Sequence, residues 1–226
     1  MMSSINFYYY CATDQCEDQL RNYCLARFED LEDRIGCQQT APPPPVIGST
    51  YVRWGRTVCA NDTGAVLVYS GRAAGSGWRE GGGGADMICL PDDPQYLNRT
   101  ADTVQGHSPL TGAEFHTWVA RPDLGLQNCP CAVCYVPRTT SLMIPAKLSC
   151  PPSWTLEYVG YLMSKYRSQG YLKYECLDEN PEFIPGLAGA TGVGVSIHLV
   201  EATCNTGLQC PPYSPTKEVA CAVCTK

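Results

Sequence analysis

The chain has 226 residues, of which 15 are cysteine and only 17% are charged. A net charge of −6 and an isoelectric point near 5.0 exclude the basic surface that nucleic-acid binding requires. No apolar run approaches the roughly 20 residues of a membrane-spanning helix.

Cysteine at this density fits an oxidising compartment better than a reducing cytosol. Two sequons, Asn61-Asp62-Thr63 and Asn98-Arg99-Thr100, agree with a secreted, extracellular glycoprotein, although such triplets also arise by chance. The opening MMSSINFYYY has no basic segment followed by an apolar one. If the protein is secreted, its leader is therefore expected to be missing from this sequence.

Residues 1–40 carry Cys11, Cys16, Cys24 and Cys37 and read as a short helical stalk. Cys24, Phe28, Leu31 and Ile35 fall on one helical stripe, and Glu17 to Arg21 and Asp30 to Arg34 are acid-first i,i+4 pairs. Two readings stay open: one amphipathic helix packed on a domain, or a short coiled coil locked by interchain disulfides. A coil this short would need covalent staples, because isolated short helices are marginal in water. Residues 41–47 begin with Ala41 and four prolines, a semi-rigid polyproline spacer. From Gly48 onward, short Val, Leu, Tyr and Ile segments alternate with Gly, Pro and Asp punctuation, which predicts a mostly β domain with many turns.

That domain contains an internal repeat. Leu67-Val68-Tyr69-Ser70-Gly71 matches Leu156-Glu157-Tyr158-Val159-Gly160, and the eight residues from Cys89 match those from Cys176. Phe115-His116 matches Ile197-His198, and Cys-Ala-Val-Cys occurs at Cys131–Cys134 and again at Cys221–Cys224. The expectation is a duplicated head with halves at 48–138 and 139–226. Cys59, Cys89, Cys131 and Cys134 in the first half answer Cys150, Cys176, Cys221 and Cys224 in the second.

Cys-Ala-Val-Cys has three possible uses. A redox pair needs its first cysteine at a helix start, and only Thr225 and Lys226 follow Cys224 here. A zinc site built from both copies would join knuckles separated by 86 residues and leave Cys59, Cys89, Cys150 and Cys176 unexplained. The third use is two disulfides leaving one strand. Residues i and i+3 of a strand point to opposite faces, which disfavours a bond within the motif.

These residues, with Ile144-Pro145-Ala146-Lys147-Leu148-Ser149-Cys150-Pro151-Pro152-Ser153-Trp154, Gly160-Tyr161-Leu162-Met163 and Glu175-Cys176-Leu177, resemble the non-collagenous C-terminal domain of type IV collagen. Tyr51-Val52-Arg53-Trp54-Gly55-Arg56 and the Gly-rich stretch before Cys89-Leu90-Pro91 bring the resemblance closer to the globular domain of short-chain sponge collagens and related invertebrate secreted proteins. It covers roughly residues 48–226. It implies a duplicated β fold with bonds Cys59 to Cys134, Cys89 to Cys131, Cys150 to Cys224, Cys176 to Cys221 and Cys204 to Cys210. Cys129 is left over in that scheme and joins Cys11, Cys16, Cys24 and Cys37 as an interchain candidate. No Gly-X-Y run exists, so the chain forms no collagen triple helix, and the head, the stalk or both must trimerise it.

Enzyme readings fare poorly. His116 and His198 sit in apolar or aromatic surroundings and read as structural, and no nucleophile elbow, zinc helix or Walker lysine is present. The run Gly81–Gly84 reads as a turn. Asp92, Asp93, Asp178 and Glu179 are weak calcium candidates against a reading as solvated turn residues. No cofactor is expected. The favoured function is a secreted structural protein whose head self-assembles, with a homo-oligomer, preferably a trimer, as its partner and other matrix proteins or glycans as further ones. The 14 tyrosines and 4 tryptophans suit interfaces and cores alike. The alternative is a multivalent, lectin-like carbohydrate-binding module, and a third is a hydrolase acting through His116 or His198.

Overall fold

Alternating β-branched and aromatic residues between Gly and Pro turns produce ten strands in the computed structural model, which describes residues 47–97, 108–116, 121–185 and 194–226. The chain divides into two compact units, Met1–Pro45 and Val46–Lys226, and the described residues belong to the second. The expected stalk with Cys11, Cys16, Cys24 and Cys37, the proline run and Asn98 lie outside the described residues.

The strands are β1 (Ser49–Trp54), β2 (Val66–Gly75), β3 (Ile88–Pro91), β4 (Thr111–Phe115), β5 (Pro130–Val136), β6 (Ser141–Pro145), β7 (Thr155–Ser164), β8 (Glu175–Asp178), β9 (Val195–Leu199) and β10 (Ala220–Thr225). A single 3-10 turn, Pro122–Leu124, is the only helical element among the described residues. The sheet runs β6-β10-β7-β8-β1-β5-β2-β4-β9, with β3 on β2. Because β9 also pairs with β7, the path from β7 through β8, β1, β5, β2 and β4 returns to β7 and closes.

The first and last five strands pair in the same order, β1-β5-β2-β3 and β6-β10-β7-β8. Close approaches recur with the order. A Cβ on Gly71 would strike the Leu90 carbonyl, and one on Gly160 would strike the Leu177 carbonyl, so both positions need glycine. Left-handed residues recur too: Gly55 (φ 87°) and Ala146 (φ 60°) follow β1 and β6, and Asp62 (61°) and Ser153 (66°) sit in the turns beyond.

One matched pair behaves differently from the expectation. In the β2–β4 ladder Thr111 lies opposite Gly75, and in the β7–β9 ladder His198 lies opposite Ser164, so strand pairing makes Thr111, not His116, the counterpart of His198. Phe115 and Ile197 instead face each other across the parallel β4–β9 ladder.

Cys-Ala-Val-Cys divides between two apolar clusters, as the parity of a strand requires. Cys131 packs with Trp54, Phe115, Leu124, Met163, Leu177 and Ile197. Cys134 packs with Tyr51, Val136, Tyr158 and Leu162 on the other side. Five disulfides close: Cys59–Cys134, Cys89–Cys131, Cys150–Cys224, Cys176–Cys221 and Cys204–Cys210, the pairs that the resemblance implies. Cys129 corrects an expectation. It is a free thiol with 0% exposure, its Sγ donates to the Pro130 carbonyl at 3.3 Å, and burial pushes its pKa well up. A thiol so placed cannot reach a second chain while the head is closed.

Candidate functional site

The first and last five strands meet along an unsymmetrical junction in which β1 runs parallel to β8, with Trp54 opposite Leu177. Left-handed Gly55 lets the chain turn tightly against β8; a Cβ there would lie 2.7 Å from Leu177 Cδ1 and 3.1 Å from Pro181 Cβ. The turn presents its backbone to the loop that follows β8, and the Glu182 amide donates to the Gly55 carbonyl at 2.7 Å.

Charged side chains secure both flanks. Arg53 donates to Asp178 from Nε and from its terminal nitrogen, each at 2.7 Å to Oδ2. Thr57 donates to Glu182 through its amide at 3.1 Å and its hydroxyl at 2.9 Å, and Arg56 donates to the Asn180 carbonyl at 3.0 Å. The Tyr158 hydroxyl lies 2.9 Å from the Cys176 carbonyl and 3.1 Å from that of Val52 and donates to one at a time. Burial, reinforced by Glu175 and Asp178, pushes its pKa well up.

Below this junction sits a buried charge. The Glu157 carboxylate accepts from the Tyr51 hydroxyl at 3.0 Å, the Thr225 hydroxyl at 2.6 Å and Arg138 at 2.6 Å. Sequence reasoning did not single out Arg138 and Glu157. The available signal was the match of Leu67–Gly71 to Leu156–Gly160, in which Glu157 stands against Val68.

The same strands seen from their counterparts are open. The ladders set Tyr51 opposite Cys134 and Leu142 opposite Cys224, so Pro145 and Ala146 answer Trp54 and Gly55. Trp54 is 3% exposed and Gly55 is buried, whereas Pro145, Ala146, Lys147 and Leu148 are all exposed. Likewise Pro91 answers Asp178 and Pro94 answers Pro181; Asp178 and Pro181 are buried, and residues 91–97 are exposed throughout. Tyr69 repeats one bond of Tyr158, its hydroxyl donating to the Cys89 carbonyl at 3.1 Å, but it has no counterpart of the Val52 contact and is 38% exposed against 6%. Among the described residues β6 pairs only with β10, and β3 only with β2. A groove of about 570 Å³ lies beside these edges, lined by Leu142 and Met143 of β6, Met87 and Ile88 at the start of β3, and Tyr51 and Tyr174.

The calcium candidates do not form a site. Asp178 is held by Arg53 and also accepts from the Asn180 amide at 3.0 Å, while Asp92 accepts from Arg72 at 2.6 to 2.8 Å. Asp93 and Glu179 are exposed on separate turns, and among the described residues no three acidic, His or Cys side chains converge on a metal position. His116 and His198 do come together, with ring centroids 5.4 Å apart. The Ser196 hydroxyl lies 2.7 Å from His198 Nε2, and Ser196 is buried at 1% exposure. Burial and His116 lower the His198 pKa. On the same face, Glu114 is buried with Oε2 unpartnered; burial raises its pKa, opposed by His116. No protein-family model matches the chain.

Proposed function

We propose that the chain is an extracellular structural protein whose duplicated head associates head to tail with further copies of itself. The observation that carries this reading is the unsymmetrical junction. It uses β1 from one set of strands and β8 from the other, and among the described residues it leaves their counterparts, β6 and β3, with one strand neighbour each, β10 and β2. A second copy can offer its β3 edge to β6 of the first, with Pro94 and Leu90 taking against Ala146 and Pro145 the places that Pro181 and Leu177 take against Gly55 and Trp54. Such a contact is heterologous and gives a ring if the rotation closes. The resemblance to the collagen domain favours three copies.

Exposed edges with apolar side chains otherwise invite uncontrolled pairing, so a defined partner also explains why they persist. Five disulfides and the absence, among the described residues, of a helix long and apolar enough to cross a membrane are compatible with an extracellular location.

The test is the native mass of the full chain and of residues 46–226, each with and without reductant. A closed oligomer of both is expected, and Ala146→Arg or Pro94→Arg, one on each exposed edge, should each make residues 46–226 a monomer with all disulfides intact. A head that is monomeric as wild type would overturn the reading and favour a glycan-binding module oligomerised through its stalk.

A further inference from the structure

The turn that follows Cys59 presents Asn61 to solvent, with Asp62 left-handed at φ 61°. Beneath it lies a polar pocket of about 390 Å³ whose walls include Asn61 and Thr63 from this turn, Arg56 just before Cys59, Leu156 from β7, and Glu179 and Asn180 just after β8. Leu156 is 40% exposed and supplies an apolar wall, while Glu179 and Asn180 are exposed and polar. An apolar wall beside exposed polar side chains suits a sugar ring, which presents both C–H faces and hydroxyls. The third residue of the sequon is placed differently: Thr63 Oγ1 is buried and has no hydrogen-bond partner.

We propose that Asn61 carries an N-linked glycan whose first N-acetylhexosamine seats in this pocket, and that the glycan is attached before the turn closes. The inference rests on the reading that the chain is secreted. In the transfer, Asn61 Nδ2 attacks C1 of the first sugar of a lipid-pyrophosphate-linked oligosaccharide. The N–C1 bond forms, the C1–O bond to pyrophosphate breaks, Nδ2 gives up one proton, and the lipid pyrophosphate leaves; nothing is oxidised or reduced. The transferring enzyme reads the Asn-x-Thr triplet, and in the closed turn the Thr63 hydroxyl is inaccessible. Transfer therefore precedes closure of the Cys59–Cys134 bond, after which the first sugar lies between the turn and β7.

The experiment is secretion of the full chain from a eukaryotic host, followed by peptide mass analysis of Asn61 and the rate at which an amidase releases its glycan from native and denatured protein. Asn61 should be occupied, and native release should be roughly tenfold slower or more, the ratio set by a seating free energy near 1.4 kcal/mol. Reductant added to the cells, which delays disulfide closure, should leave occupancy unchanged or raise it. An unmodified Asn61 in the secreted wild type overturns the proposal. Equal release rates overturn the seating, and a fall in occupancy under reductant overturns the order of events. None of these results touches the self-assembly reading, because neither Pro94 nor Ala146 lines this pocket.

Discussion

The carboxylate of Glu157 has no exposed side-chain surface and takes hydrogen bonds from Tyr51, Thr225 and Arg138, so its charge is tolerable only while all three donors remain. Removing one member of a buried ion pair costs about 3–5 kcal/mol, because the other is left uncompensated. Arg138→Met and Glu157→Leu should each destabilise the head by that order, while the double variant, which restores the apolar residue type of Val68 at the counterpart position, should recover most of the loss. A double-mutant cycle by urea unfolding measures this; additive losses would show that the pair is not coupled. Glu114 makes the opposite case, a buried carboxylate with one oxygen unpartnered. Its folded pKa is raised by burial, so the native state holds its proton more tightly than the unfolded chain. Ionisation of the unfolded chain above about pH 4.3 then favours unfolding, and the penalty grows as pH rises until the native carboxyl also ionises. Glu114→Gln should raise stability at pH 7, because the neutral amide keeps the shape of the side chain and has no proton to lose on unfolding. The gain should vanish below about pH 4, where both states are protonated. Unfolding midpoints of the variant and wild type at the two pH values would decide it.

At the scale of strands, the disulfides differ in what they constrain. Cys150–Cys224 joins residues 74 apart and Cys204–Cys210 residues 6 apart. Chain-entropy arguments give about 4 kcal/mol for the first and about 2 for the second. Serine pairs at the two sites should therefore differ in unfolding midpoint, with the long bridge the costlier loss; equal losses would mean that strain or residual structure in the unfolded chain outweighs loop entropy. The cysteine strands were the most legible part of the chain, because a period of two forces Cys131 and Cys134 to opposite faces whatever surrounds them. The order of β1, β2, β5 and their counterparts was legible through matched residues such as Gly71 and Gly160. The β4–β9 ladder was not. It joins segments about 80 residues apart, and alternation within Thr111–Phe115 does not reveal which distant strand lies alongside. The same limit misplaced His116 as the counterpart of His198: a two-residue match fixes no register, whereas the ladders do. Nor could composition separate buried Pro181 from exposed Pro94, since their local sequences are alike and only the neighbouring strand differs.

For the molecule as a whole, the decisive question is whether its two open edges complement each other or each pairs with its own copy. If the β6 edge and the β3 edge are the two sides of one heterologous contact, they must be blocked independently. Ala146→Arg would spoil only the β6 side, because Ala146 holds the left-handed turn that Gly55 occupies at the closed junction. Pro94→Arg would spoil only the β3 side. Each variant alone then has one good edge and nothing to receive it, so each should be a monomer. Mixed, the β3 edge of the first variant meets the β6 edge of the second, and both outer edges of the resulting pair are blocked. A 1:1 mixture should therefore stop at a heterodimer of two 24.6 kDa chains. It should also bind more weakly than the wild-type assembly, since a ring gains affinity by closing its last contact within one particle. Native mass spectrometry with one variant isotopically labelled would resolve the composition. Isologous edges predict the reverse: each variant would still form homodimers through its intact edge, and mixing would create nothing new.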